Sequence, residues 1–118
     1  MSLPQELQVI DQKIGDGEEA VKGKLVAVHY QGWLYDDEAE ENKGFEFDSS
    51  RSREPLTIPL GAEVVVKGME EGVIGMKTGG LRTIIIPSEL AYGDKGAGNV
   101  IPPDAALIFE VELMEVRG

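Results

Sequence analysis

The sequence lacks cysteine and contains one histidine, His29, among its 118 residues. Without cysteine there are no disulfides, no thiolate metal sites and no cysteine nucleophiles. Long apolar runs are also missing, since none approaches the roughly 20 residues of a membrane-spanning helix. The chemistry open to this chain is therefore that of a protein that neither spans a bilayer nor uses thiols.

Basic residues are scarce as well. The chain has 11 Lys and Arg against 22 Asp and Glu, which gives a net charge of −11 and a pI near 4.4. Such a surface repels phosphate backbones and anionic lipid headgroups. We therefore expect no nucleic-acid partner and no membrane partner, and a monomer, because the sequence shows no long exposed apolar stripe.

The length predicts one domain that spans residues 1–118. Met1 to Leu3 are a candidate cloning remnant, so a longer parent protein remains open. The N-terminus lacks the basic and apolar regions of a signal peptide. We expect a cytoplasmic location, with a domain excised from an exported protein as the alternative.

Glycine and proline are spread along the chain and separate short segments of alternating hydrophobicity, a pattern typical of β-rich folds. Pro59 lies within one of these segments and predicts an edge strand or a bulge there. The strands are expected at residues 7–14, 24–34, 45–47, 56–60, 81–86 and 106–116.

One segment departs from the period of two. Met69, Val73 and Met76 recur at helical spacing and predict a short helix, although Gly68 and Gly72 lower its intrinsic propensity. The predicted fold class is α+β, with a curved antiparallel sheet of five to six strands wrapped around one short helix.

Common catalytic and metal-binding patterns are absent or incomplete. His29 lies inside an apolar strand, where a structural role is far more frequent than catalysis. Lys77-Thr78-Gly79 has no Ser-x-x-Lys partner, and the glycines of residues 93–98 lack the context of a phosphate loop. The acidic run of residues 36–41 lacks the spacing of a calcium loop and predicts an exposed segment. We expect no metal and no cofactor.

The aromatic residues suggest a site once their order along the chain is considered. Taken singly, each could be an ordinary core residue. Together with their neighbours they form a series that closely resembles the FKBP family of peptidyl-prolyl cis–trans isomerases, from about Val9 to Val116. The motifs that carry the resemblance are Val28-His29-Tyr30-x-Gly-x-Leu, Phe47-Asp48-Ser49-Ser50-Arg51-x-Arg53, Gly68-x-Glu70-Glu71-Gly72-Val73, Ala91-Tyr92-Gly93, Ile101-Pro102-Pro103 and Leu107-Ile108-Phe109-Glu110-Val111-Glu112-Leu113.

The resemblance implies a rotamase that acts on X-Pro bonds of proline-containing polypeptides and that binds macrolides such as tacrolimus and rapamycin. It implies a curved sheet around one helix, in agreement with the segment pattern, and a flap at residues 93–101. The implied catalytic residues are Tyr30, Phe47, Asp48, Tyr92 and Phe109. The implied ligand-binding residues are Arg53, Leu56, Val65, Val66, Met69, Val100 and Ile101.

Two roles stay open from the sequence. Asp48 could organise the pocket wall through Tyr30 or Arg53, or it could contact the twisting amide. The substrate carbonyl could be bound by the Tyr92 hydroxyl or by the Ile101 backbone N–H.

The chain also departs from the family pattern. Met69 stands where many members carry a tryptophan floor, and methionine offers no flat surface for a proline ring. A module that captures proline segments or macrolides with weak turnover is therefore the alternative function.

Overall fold

The computed structural model describes residues 3–118, so most of the candidate remnant Met1 to Leu3 lies outside the described residues. Short 3-10 turns occur at Glu40–Asn42, Ser88–Leu90 and Gly93–Lys95. The strands and the helix are β1 (Gln8–Lys13), β2 (Leu25–Tyr35), β3 (Lys43–Ser49), β4 (Leu56–Pro59), α1 (Lys67–Val73), β5 (Leu81–Ile86) and β6 (Leu107–Arg117).

The six strands form one antiparallel sheet in the order β1-β5-β6-β2-β3. β4 pairs with the first half of β2, from Leu25 to Val28, whereas β3 pairs with the second half. The predicted α+β class and strand segments are thereby confirmed. Pro59 lies at the end of β4, which pairs only with β2, so the expected edge position is confirmed too.

Strand alternation builds the core on the face of the sheet that α1 covers. In β6, Phe109, Val111 and Leu113 are buried, while Glu110 and Glu112 are partly exposed on the opposite face. Such alternation is expected when one face of an antiparallel sheet is packed. The fully buried side chains of this core include Val26, Val28, Ile58, Val73, Ile84, Ile86, Leu107, Val111 and Leu113.

The helix glycines allow α1 to lie directly on β5. A Cβ added at Gly68 would lie 2.3 Å from Cγ2 of Ile86, and one at Gly72 would lie 2.6 Å from Cγ2 of Ile84. Glycine therefore weakens helix propensity here but permits an approach to the sheet that alanine would block.

The predicted helical face was wrong at its last position. α1 ends at Val73, and Met76 reaches the core from the turn that follows, where it is 3% exposed. Ile74 already has an extended ψ of 131°, and Gly75 follows with a φ of 96°, so the backbone has left the helix before Met76. A period of 3.6 can thus continue in the sequence beyond the residue at which the backbone leaves the helix.

The acidic segment that follows β2 is held to the sheet by Lys43. Its ammonium group lies 2.5 Å from a carboxylate oxygen of Glu110 and 3.0 Å from one of Glu41, and it sits 4.6 Å from the ring centroid of Trp33. Burial alone would lower the pKa of Lys43, but the hydrogen bonds to these two carboxylates raise it. Trp33 is therefore a packing residue at this anchor.

The helical segments among residues 3–118 are too short and too polar to cross a membrane.

Candidate active site

A cavity of about 390 Å³ opens at the surface between the sheet and α1. Its walls come from β2, β3, β4, β6, α1, the segment before α1 and the residue that precedes the 93–95 turn. The lining residues are Tyr30, Phe47, Asp48, Leu56, Glu63, Val64, Val65, Val66, Met69, Tyr92 and Phe109.

Three aromatic rings form one wall. The ring of Phe109 meets that of Phe47 edge to face, with centroids 5.6 Å apart, and lies 6.1 Å from the ring of Tyr30. Gly32 makes room for them, since a Cβ there would lie 2.7 Å from Cε1 of Phe109 and 2.8 Å from Cζ of Phe47. The sequence contained this glycine within the Tyr30 motif, but its packing role was not predicted.

Both carboxylate oxygens of Asp48 are engaged within the protein. The Tyr30 hydroxyl donates to Oδ2 at 2.6 Å, while the Ser49 N–H and Nη2 of Arg53 donate to Oδ1 at 2.8 and 3.1 Å. Burial and the hydrogen bond to Asp48 raise the pKa of Tyr30 against an opposing effect of Arg53. Tyr30 is therefore a neutral donor at neutral pH, and Arg53 contacts Asp48 rather than lining the cavity.

His29 supports this wall from the other face of the sheet. Its Nδ1 lies 2.9 Å from Oγ of Ser50, and the same Oγ accepts the Tyr30 backbone N–H at 2.8 Å. Ser50 is 2% exposed. The arrangement ties the end of β3 to β2 and agrees with the structural reading of the single histidine.

The floor of the cavity is the start of α1 and the residues before it. Met69 is 4% exposed, and Val65 and Val66 pack against the same core cluster. The preceding turn is held by Glu70, whose buried carboxylate accepts the Glu63 backbone N–H at 2.9 Å. Glu63 and Val64 were not predicted from the sequence, although their position next to Val65 could have indicated them.

The 93–101 flap closes on itself. Ala97 and Ile101 exchange backbone hydrogen bonds, so the Ile101 N–H already donates to the Ala97 carbonyl at 3.1 Å. The Ile101 side chain is buried in the core cluster, whereas Val100 is 47% exposed and neither lines the cavity. Tyr92 does line it, and within residues 3–118 its hydroxyl has no hydrogen-bond partner.

The site contains no obvious means of holding a metal. Within the described part of the chain, no group of three or more His, Asp or Glu side chains is placed to coordinate an ion. What the geometry offers is an apolar, aromatic recess in which the Asp48 carboxylate is held by hydrogen bonds and the Tyr92 hydroxyl is unpaired among residues 3–118.

The comparisons with known proteins agree with this geometry. The family model for FKBP-type peptidyl-prolyl cis-trans isomerases matches residues 16–114. The chain belongs to the FKBP family of peptidyl-prolyl isomerases. The resemblance recognised in the motifs is thereby confirmed.

Relatives and solved structures extend over most of the chain. An FK506-binding protein of Neisseria meningitidis serogroup A is 57% identical over 111 residues, which cover 93% of this chain and 95% of that protein. The crystal structure of AtFKBP13 is 41% identical with a TM-score of 0.81, covering 98% of this chain and 96% of that one. The crystal structure of FkpA from Escherichia coli is 39% identical with a TM-score of 0.80, covering 94% of this chain and 48% of that one.

The chain is therefore a peptidyl-prolyl cis–trans isomerase with the FKBP fold. Its membership of an enzyme family disfavours the alternative of a recognition module with weak turnover.

Proposed function

We propose that the cavity between the sheet and α1 holds the proline ring of X-Pro substrates. The observation that carries this proposal is the apolar lining at the centre of the recess, where Phe47, Val65 and Met69 surround a volume large enough for the ring. Phe109 and Val66 complete the contact with the ring, and Tyr30 closes one wall.

Catalysis of this reaction requires that the barrier to rotation about the X-Pro bond be lowered, and it requires no nucleophile. Amide resonance sets the rotation barrier of an X-Pro bond at about 18–20 kcal/mol, and exchange without a catalyst takes tens to hundreds of seconds. The planar amide is more dipolar than the twisted one. A recess that excludes water therefore disfavours the ground state more than the transition state, and no covalent intermediate is required.

The polar groups at the mouth take different parts in this proposal. The Tyr92 hydroxyl binds the substrate carbonyl, since it is unpaired within residues 3–118 whereas the Ile101 N–H is already occupied. Asp48 organises the wall, because its two oxygens are held by Tyr30, Ser49 and Arg53. Leu56 extends the apolar surface beyond the ring.

We further propose that tacrolimus and rapamycin compete for this same recess. Relatives of high identity carry the name FK506-binding protein, and the aromatic wall suits an apolar ring.

Because every residue of the recess comes from one chain, we propose that a monomer is the active form. The net charge of −11 supports the expectation of no nucleic-acid or membrane partner. The cytoplasmic location stays a prediction.

Two matched variants test the assignment of roles. In Phe47→Ala, the ring wall is lost, and we expect both tacrolimus affinity and exchange of a Leu-Pro peptide to collapse. In Asp48→Val, the wall loosens but remains, and we expect a smaller loss of exchange. Folding of both variants is checked by circular dichroism. If Asp48→Val abolished exchange as fully as Phe47→Ala while tacrolimus still bound normally, Asp48 would act on the amide directly.

A further inference from the structure

The charges that line the recess are of one sign. Asp48 and Glu63 are its two charged lining residues, and neither lysine nor arginine lines it. The Asp48 charge is paired with Arg53, and Asp48 also accepts a hydrogen bond from Tyr30. Within residues 3–118, the Glu63 carboxylate takes part in no hydrogen bond and no salt bridge. One uncompensated negative charge therefore stands at the edge of a recess that is otherwise apolar.

The backbone holds Glu63 in place. Its φ is 59°, a conformation that costs free energy for a residue other than glycine. The Glu63 N–H donates to Glu70, which is 7% exposed on α1. The turn that carries the carboxylate is thus fixed to the same helix that supplies the floor of the recess.

Two lysines line a cavity next to the recess and not the recess itself. Lys22 and Lys67 line an adjoining cavity of about 230 Å³ that shares Glu63 with the recess. Neither ammonium group comes within the 4.0 Å that would make a salt bridge with Glu63 among the described residues. Glu71, on the exposed side of α1, lines that adjoining cavity and not the recess.

Resting on the proposed function, we propose that Glu63 makes this isomerase prefer X-Pro segments with Lys or Arg within two residues of the proline over segments with Asp or Glu there. A substrate cation beside the recess meets Glu63, whereas a substrate carboxylate is repelled by it. The overall charge of −11 acts in the same direction on any cationic peptide, but it cannot distinguish one acidic residue from another.

The expected effect is modest, because Glu63 is exposed to solvent. Exposed ion pairs of this kind change an equilibrium or a rate by about two- to five-fold. Attraction and repulsion together separate a Lys peptide from a Glu peptide by about ten-fold in kcat/KM at low salt. Screening reduces that ratio at high ionic strength.

The test compares Leu-Pro peptides that differ only in Lys, Gln or Glu two residues before the proline, and a second set with the same change directly after it. The ratio of kcat/KM for Lys over Glu peptides is measured by NMR exchange for the wild type, for Glu63→Gln and for Glu71→Gln as the matched control. We expect Glu63→Gln to lower the ratio about three-fold or more in at least one set, and Glu71→Gln to leave it near the wild-type value.

The outcomes distinguish a failure of the Glu63 proposal from a failure of the proposed function. If the ratio is unchanged in Glu63→Gln, or falls equally in Glu71→Gln, the role of Glu63 is overturned. Acceleration of the Gln peptide in the same experiment would show that the proposed function still stands. If the wild type fails to accelerate even the Gln peptide, the proposed function falls and this inference falls with it. Glu63→Lys gives a second reading, because it should invert the preference.

Discussion

The close approach of α1 to the sheet predicts a specific cost for Gly68→Ala. Alanine favours a helix over glycine by about 1 kcal/mol, and less at Gly68, the second residue of α1. Against this, the new Cβ would lie 2.3 Å from Cγ2 of Ile86, a side chain that is 0% exposed. Overpacking of a rigid core costs about 1–3 kcal/mol, and a contact this short belongs at the upper end. We therefore expect a net destabilisation of roughly 2 kcal/mol.

A double-mutant cycle isolates the contact. Ile86→Ala alone should cost about 2–5 kcal/mol through the cavity that it leaves. In the double variant the methyl group of residue 68 enters that cavity, so the combined loss should be smaller than the sum by about 1–3 kcal/mol. The free energy of unfolding is measured by urea denaturation, with the exposed Glu71→Ala as the helix control. Tacrolimus affinity should also fall in Gly68→Ala, because Met69 follows directly on the floor.

A stabilised Gly68→Ala variant would refute this reasoning, since it would mean that helix propensity outweighs the packing contact. Strict additivity in the cycle would refute it too, because it would mean that residues 68 and 86 do not share the space that the structure assigns to them.

Three further perturbations have defined outcomes. Met69→Trp should lower the Kd for tacrolimus by about two- to ten-fold through an added aromatic surface, measured by calorimetry, and an unchanged Kd would contradict the assignment of Met69 to the floor. Arg82→Lys should destabilise the fold by about 1–2 kcal/mol in urea denaturation, because lysine cannot reach Asp11 and the carbonyls of residues 72 and 74 together, and wild-type stability would argue against that bridge. The raised pKa of Tyr30, caused by burial and Asp48, means that its contribution to stability is full below pH 10 and is lost as the pH rises through the folded-state pKa. Tyr30→Phe should therefore lose less stability than the wild type between pH 9 and 11, and equal losses would exclude Tyr30 as the titrating group.

Much of the fold could be predicted because local patterns and burial agree. The alternation of Phe109, Val111 and Leu113 with glutamates matches the buried and exposed faces of β6. The short helix and the edge position of Pro59 followed from the same kind of reasoning. Each of these features is determined mainly by residues that are close together in the sequence.

The features that were missed depend on contacts between distant segments. In the sequence Gly68 is only a residue of low helix propensity. Glycine is required there because Ile86 on β5 leaves no room for a Cβ. Met76 continues the helical period, yet the backbone has already left the helix at Ile74. Lys43 is held by Glu110, which lies 67 residues further along the chain.

The site, too, contains residues that could be predicted from the sequence and residues that could not. Nine of the twelve residues implied by the resemblance line the recess, while Arg53, Val100 and Ile101 do not. Glu63 was missed because an acidic residue after a turn is indistinguishable in sequence from any other surface acid. Whether the Ile101 N–H could serve as a donor depended on the Ala97 carbonyl, whose position is a property of the folded flap.

Exchange of a Leu-Pro peptide followed by NMR, with and without excess tacrolimus, tests whether the recess is the catalytic site. We expect rapid cis–trans exchange in the presence of the protein and its suppression by the drug, because both ligands would occupy the recess lined by Phe47 and Phe109. Peptide binding without faster exchange, or fast exchange that saturating tacrolimus leaves untouched, would contradict it.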